Sequence, residues 1–125
     1  MPTSSASTCF ARFVHRITVD NEQLATVLTA EGELDAFVAP DLTAAFADVG
    51  EATRVVTDLT AVSFLDSTAL GLVVRAVREI GERNGVVRVV LPKTTARRIF
   101  EITTLDRVLP VSETRADALA ELGSL

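Results

Sequence analysis

The strongest constraint on the fold is a pair of β-branched runs that flank a long amphipathic segment. VVTDL at 55–59 and VVRVVL at 86–91 have the composition of buried strands. The segment between them carries apolar residues at helical spacing, namely Leu70, Val73, Val74, Val77 and Ile80. Two such strands joined by a helix pair in parallel through a right-handed crossover. The centre of the chain therefore predicts an α/β fold with a parallel sheet.

Weaker patterns on either side extend this unit. Alternation over 13–19 and the run LATVLT at 24–29 predict two strands, which a turn at Asp20-Asn21 would make antiparallel. Gly32 is expected to mark a bulge or a close approach of backbone. The remaining predicted elements are a helix from Pro40 to Gly50, a helix over 96–103, a strand over 108–111 and a helix over 116–122. Together they predict a mixed sheet, antiparallel in its first strands and parallel in its later ones, backed by about four α-helices.

The length and composition fit a single domain. The chain has 125 residues, and its 48% hydrophobic content is sufficient for a proper core. Residues 1–9 are mostly small and polar, which predicts a disordered N-terminal tail followed by one domain over 10–125. No apolar run is long enough to span a membrane, and none has the character of a secretory signal. We therefore expect a cytoplasmic protein.

Charge and the inventory of reactive side chains argue against several functions. The formal net charge is −5, whereas nucleic acids and anionic membranes are bound through cationic surfaces. The single cysteine, Cys9, and the single histidine, His15, leave no thiolate metal cluster and a poor basis for nucleophilic catalysis. Asp35, Asp58 and Asp66 could hold Mg²⁺ on charge alone, but no spacing singles them out. We expect no enzyme activity, no cofactor and no metal.

The stretch SFLDSTALG at 63–71 connects the first central strand to the long helix. Small oxygen-bearing residues at a helix start usually cap its first turn, and either Asp66 or Ser67 could be that cap. The stretch also follows the carboxyl end of a parallel strand, where α/β folds place binding sites. An exposed hydroxyl of Ser67 or Thr68 would be accessible to a kinase there. A structural cap and a modification site are both open readings.

Three segments resemble motifs of one protein family. VVTDLTAVSFLDSTALGLVVRA at 55–76 resembles the signature of the STAS domain of bacterial anti-sigma factor antagonists. EGELD at 31–35 with VAPDL at 38–42, and TLDRVLPVSE at 104–113, are similar to further family segments in the same order. The resemblance implies a sheet with helices packed on one face. It also implies phosphorylation of Ser67, Thr68 as a second candidate acceptor, and a partner-binding set of Asp35, Asp66, Ser67, Thr68, Ala69 and Leu70.

The resemblance further implies a regulatory binding protein. The unphosphorylated chain would bind an anti-sigma factor with serine/threonine kinase activity and so release a sigma factor. Phosphorylation of Ser67 would switch the chain off, and a phosphatase would reverse the mark. Ala69 departs from the glycine usual in the family, and its methyl group is expected to stiffen the first helical turn and to lie where a partner approaches.

Two other uses of such a domain stay open. One is a non-phosphorylated interaction subunit of a transporter complex, and the other is a ligand-sensing module. Ser67 would be a constitutive helix cap in either. A hydrolase with Ser67 as nucleophile is disfavoured, because His15 belongs to the first predicted strand and no other histidine could act as the base.

Overall fold

The computed structural model describes residues 8–11, 15–22, 25–91 and 111–123. These residues form one sheet with the strand order β1-β2-β3-β4-β5-β6. The strands are β1 Thr8–Ala11, β2 His15–Asn21, β3 Thr26–Leu34, β4 Arg54–Leu65, β5 Val86–Val90 and β6 Val111–Ser112. β1, β2 and β3 pair antiparallel, while the pairs from β3 to β6 are all parallel. The predicted mixed sheet is confirmed.

The described residues contain a short 3₁₀ helix and three α-helices. They are the 3₁₀ helix Ala36–Val38, α1 Ala39–Val49, α2 Ser67–Glu82 and α3 Arg115–Gly123. None of these helices is long and apolar enough to cross a membrane. The helix predicted over 96–103 lies outside the described residues, as does most of the strand predicted over 108–111. Residues 1–7 also lie outside them, and β1 begins at Thr8, within the segment predicted as a tail.

The helices cover both faces of the sheet. Neighbouring residues of β3 point to opposite sides, so that Leu28 belongs to the core beneath α1 and α2 while Val27 belongs to a second core beneath α3. β4 repeats this arrangement with Val55 and Val56. The helices therefore lie on both faces of the sheet, whereas the family resemblance implied helices on one face only. Strands covered on both sides need apolar residues at successive positions, which accounts for the run VVTDL.

β3 and β4 are both longer than the sequence pattern predicts. β3 continues through EGEL to Leu34, and β4 continues through SFL to Leu65. Gly32 has a φ of 86°, and the pairing register shifts between Thr29 and Glu31 and again between Gly32 and Glu33. Of the two features expected at Gly32, the structure therefore shows the bulge. As a result, both strands end at the same edge, and an aspartate follows each of them.

α2 ends at Glu82, and a defined turn follows it. Asn84 adopts a left-handed backbone conformation with a φ of 63°. The N–H of Gly85 donates to the carbonyl of Ile80 at 2.8 Å, and the N–H of Asn84 donates to that of Gly81 at 3.1 Å. These two bonds make a Schellman motif, which satisfies carbonyls of the last turn and directs the chain into β5.

Candidate functional site

The carboxyl ends of β3 and β4 lie side by side. Leu34 and Leu65 are the last paired residues of the two strands, and the N–H of Asp66 donates to the carbonyl of Leu34 at 3.0 Å. The register therefore places Asp35 next to Asp66 and near Ser67. This edge is formed by residues distant in sequence, and it is the kind of location at which parallel sheets carry binding sites.

Each of the two aspartates caps the helical segment that follows it. Asp35 Oδ1 accepts a hydrogen bond of 3.0 Å from the N–H of Phe37, at the start of the 3₁₀ helix. Asp66 Oδ1 accepts one of 2.9 Å from the N–H of Ala69, in the first turn of α2. Of the two candidate caps for α2, the structure therefore selects Asp66 over Ser67. A carboxylate at this position is also stabilised by the positive end of the helix dipole.

Ser67 and Thr68 are the first two residues of α2, and both are exposed. Ser67 also lies on a shallow groove of about 510 Å³ that runs along α2 and includes Gly71 and Arg75. Because Asp66 supplies the cap, the Ser67 hydroxyl is not required to close the first turn. The hydroxyl is thus placed on the surface at the N-terminus of a helix, where backbone N–H groups lack intrahelical partners.

Ala69 and Leu70 face inward. Ala69 is 0% exposed and Leu70 is 6% exposed, and both belong to the core that also contains Val38. The methyl group of Ala69 therefore packs inside the domain instead of projecting toward a partner. That this methyl group stiffens the first turn of α2 stays a prediction.

Two aromatic side chains near this edge are exposed. Phe37 of the 3₁₀ helix is 93% exposed, and Phe64 of β4, which pairs with Glu33, is 47% exposed. The sequence pattern does not single out either residue. The available signal was the position of Phe37, which stands before Pro40 and outside the apolar stripe that α1 buries through Leu42, Ala45 and Val49.

Most of the charged residues at this edge are acidic. No lysine or arginine occurs between Arg16 and Arg54, or between Arg54 and Arg75. Arg54 begins β4 and so lies at the opposite end of that strand from the edge. The acidic residues at or near the edge are Glu31, Glu33, Asp35, Asp41 and Asp66. Carboxylates are therefore in excess at this edge, although Arg16 lies opposite Glu31 in the sheet and the groove beside Ser67 also carries Arg75 and Arg78.

Asp58 lies away from these aspartates and has a structural partner. It is 4% exposed, its Oδ2 accepts a bond of 2.8 Å from Arg115 Nε, and its Oδ1 accepts one of 2.9 Å from the N–H of Thr60. At about 3.3 Å per residue along β4, Asp58 and Asp66 are roughly 25 Å apart. The Mg²⁺ site considered for Asp35, Asp58 and Asp66 is not assembled. Among the described residues, no three acidic, histidine or cysteine side chains are grouped to hold a metal ion.

Comparison with known proteins identifies the family. The STAS domain model matches residues 16–118. The anti-sigma-B factor antagonist of Listeria monocytogenes is 32% identical over 88 residues, which are 69% of this chain and 77% of that protein. The crystal structure of an anti-sigma factor antagonist from Mycobacterium paratuberculosis has a TM-score of 0.80 and 30% identity, over 86% of this chain and 93% of that one. The chain belongs to the STAS domain family. Within that family, these relatives are anti-sigma factor antagonists.

More distant proteins share the fold. The anti-sigma factor antagonist SpoIIAA in its unphosphorylated form has a TM-score of 0.71 at 21% identity, over 87% of this chain and 97% of that one. The phosphorylated form of SpoIIAA from Bacillus has a TM-score of 0.65 at 23% identity, over 85% of this chain and 98% of that one. Among curated relatives, the chain spans 57% of the length of two from Thermotoga neapolitana and Thermotoga maritima, at 31% and 30% identity.

Proposed function

We propose that this chain is an anti-sigma factor antagonist controlled by phosphorylation of Ser67. When unphosphorylated, it binds an anti-sigma factor that has serine/threonine kinase activity, and the sigma factor is released. The observation that carries this proposal is the position of Ser67, exposed at the start of α2 while Asp66 closes the helix. Ser67 can therefore be modified without the loss of a hydrogen bond that caps α2. Similarity to antagonists from Listeria and Mycobacterium supports the choice of partner.

The contact surface in this proposal is the edge formed by the ends of β3 and β4. Asp35, Asp66, Ser67 and Thr68 lie at this edge and contact the partner. Ala69 and Leu70, which are buried, support the surface from below. Thr68 is exposed beside Ser67 and is the second candidate acceptor. The groove along α2 continues the surface away from the edge.

Phosphorylation should leave the isolated domain folded. A phosphoserine carries about −1.5 to −2 charges at pH 7. At Ser67 that charge meets the N–H groups and the positive dipole end of α2, which favour an anion. SpoIIAA, which has the same fold, exists in both unphosphorylated and phosphorylated forms. The modification therefore acts on the complex and not on the fold.

In the complex the same phosphate is unfavourable. A kinase must approach the Ser67 hydroxyl closely, so docking removes water from this position. A phosphate trapped there would lose its hydration beside the carboxylates of Asp66 and Asp35, which carry like charge. Each loss of about 1.4 kcal/mol weakens binding tenfold, so a penalty of a few kcal/mol would produce a switch of roughly a hundredfold to a thousandfold.

The chain is a substrate and a binder in this mechanism and performs no catalysis of its own. The anti-sigma factor supplies ATP and the kinase activity, and a separate phosphatase removes the phosphate. Both steps require the cytoplasmic location that the sequence predicts. The non-phosphorylated transporter subunit and the ligand-sensing module differ from this proposal in leaving Ser67 unmodified.

The test is phosphorylation with defined components. The purified chain is incubated with ATP and each anti-sigma factor kinase of its source genome, and its intact mass is followed by peptide mapping. We expect one phosphate on the peptide that contains Ser67, no phosphate on Ser67→Ala, and normal modification of Thr43→Val, which changes an exposed threonine of α1 outside the proposed contact surface. A mass that never changes with any of these kinases would contradict the switch and favour a constitutive docking protein.

A further inference from the structure

Phe37 is held away from the domain by its own backbone. The side chain is 93% exposed, while the next residue, Val38, is 2% exposed and packs in the core. Asp35 fixes this turn twice, because its Oδ1 accepts from the N–H of Phe37 at 3.0 Å and its carbonyl accepts from the N–H of Val38 at 3.0 Å. The aromatic ring therefore projects from an ordered turn, although exposure of its apolar surface to water is unfavourable.

The turn that carries Phe37 lies against the start of α2. The 3₁₀ helix contacts α2, and Val38 shares a core with Ala69 and Leu70. This packing brings Phe37 to the same edge as Ser67. Phe64, 47% exposed and one residue before the end of β4, adds apolar surface at this edge.

The surroundings of Phe37 define the chemistry of its partner. The strand ends beside Phe37 carry three carboxylates, those of Glu33, Asp35 and Asp66. One basic residue, Arg16, lies opposite Glu31 in the sheet, so carboxylates remain in excess. A second copy of this chain would bring the same carboxylates face to face, which is unfavourable. A complementary surface has instead an apolar pocket with lysine or arginine at its rim. A few side chains that fill pockets at the centre of an interface usually dominate its binding energy, and the rim around them is polar.

We propose that Phe37 is the aromatic anchor by which the chain binds its anti-sigma factor, inserting into an apolar pocket that is rimmed by basic side chains. This inference rests on the proposed function and adds a residue and a recognition mode to it. Phe37 positions the complex, and Asp35 and Asp66 pair with the basic rim. Ser67 then lies beside the anchor, where the kinase can reach its hydroxyl.

The experiment compares Phe37→Ala with Val86→Ala. Val86 is also an exposed apolar residue, at 37%, but it begins β5 and so lies at the opposite end of the sheet. Affinity is measured by calorimetry against the anti-sigma factor kinase that phosphorylates Ser67. We expect Phe37→Ala to weaken binding by about thirtyfold or more and Val86→Ala by less than about twofold, because truncation of an interface anchor has a large effect. Phe37→Leu should fall between Phe37→Ala and the unsubstituted chain.

Two further readouts separate an anchor from other roles. Phosphorylation of Phe37→Ala should show a raised KM with an unchanged kcat, and its melting temperature should match that of the unsubstituted chain because the side chain is exposed. Raising NaCl from about 0.05 to 0.5 M should weaken binding of both proteins by the same factor, since screening acts on the carboxylates and not on the ring.

The outcomes distinguish the inference from the function on which it rests. If the unsubstituted chain is bound and phosphorylated but Phe37→Ala binds equally well, the anchor is overturned and the proposed function stands. If no anti-sigma factor kinase binds the unsubstituted chain, both are overturned. If sedimentation shows a dimer that Phe37→Ala abolishes, the ring belongs to a self-association surface, which also overturns the anchor.

Discussion

Asp66 Oδ1 and the N–H of Ala69 form a hydrogen bond of 2.9 Å, and this contact caps α2. It leaves Ser67 without a capping role. We expect Asp66→Ala to lower the free energy of unfolding by about 1 kcal/mol, because it removes an N-cap. Asp66→Asn keeps an oxygen acceptor and should lower the free energy of unfolding by only a few tenths of a kcal/mol. Ser67→Ala, at an exposed first helical position, should change stability by less than about 0.5 kcal/mol.

Urea denaturation of these three variants tests the assignment of the cap. A loss of stability in Ser67→Ala as large as that in Asp66→Ala would mean that the serine, and not the aspartate, closes the first turn. The separation also matters for function, since a binding defect in Ser67 variants can be interpreted only if the helix remains intact.

A negative charge at Ser67 should impair partner binding without unfolding the domain. We expect Ser67→Asp to bind the anti-sigma factor at least about tenfold more weakly, because in the proposed complex its carboxylate would be buried beside Asp66 and Asp35. It carries less charge than a phosphoserine, so its effect should be the smaller of the two.

Ser67→Asn is the matched control for that measurement. It has nearly the size of aspartate and no charge, so its affinity should stay close to that of the unsubstituted chain. Equal losses in Ser67→Asp and Ser67→Asn would show that volume, and not charge, controls docking at this position.

Arg115 fixes α3 to the second face of the sheet. Its Nε donates to Asp58 at 2.8 Å, its Nη2 donates to Thr29 Oγ1 at 2.6 Å, and Nη1 lies 3.3 Å from Glu22 Oε2. Asp58 is 4% exposed, so Arg115→Met leaves a buried carboxylate with less compensation. We expect a loss of about 2 kcal/mol in the free energy of unfolding, reduced from the fully buried case because the Arg115 side chain is 37% exposed.

The double variant supplies the control. Asp58→Asn introduced into the Arg115→Met background removes the uncompensated charge and should recover part of the lost stability. Arg78→Met, at an exposed position of α2, should leave the free energy of unfolding nearly unchanged.

Because Asp58 lies far from Ser67, phosphorylation of the folded Arg115→Met protein should be unchanged. If the effects of Arg115→Met and Asp58→Asn on the free energy of unfolding simply add in the double variant, the ion pair makes no net contribution.

The parts of the fold that were predictable are those set by local patterns. The strands around VVTDL and VVRVVL, the helix between them and the stop at Gly50 follow from β-branched content, helical periodicity and backbone freedom at glycine. The position of α3 on the opposite face had a signal too, because Val55 to Leu59 are buried at every position. An alternating strand would have required a helix on one face only.

The features that were not predictable depend on contacts between distant segments. Arg115 meets Asp58 from 57 positions away in sequence, and no local pattern marks such a pair. The exposure of Phe37 depends on the direction in which a 3₁₀ turn leaves the sheet. The packing of Val38 and the two hydrogen bonds that Asp35 accepts determine that direction. At the site, the motif indicated Ser67 and both aspartates, but the choice between Asp66 and Ser67 as the cap needed the hydrogen-bond geometry.

Thr57 provides a test of the core beneath α1 and α2. It is 0% exposed, it lies between Leu28 and Val89 in the register, and within the described part of the chain its Oγ1 has no hydrogen-bond partner. Valine has the same shape without the hydroxyl group. We expect Thr57→Val to raise the free energy of unfolding by about 1 kcal/mol, because it removes the desolvation cost of an unpaired polar group. The reverse exchange at the neighbouring position, Val89→Thr, should lower it by about 1–3 kcal/mol, since it buries a second unpaired hydroxyl. Chemical denaturation of both variants makes the comparison, and a destabilised Thr57→Val would show that the native hydroxyl is hydrogen-bonded in solution, for example to a buried water molecule.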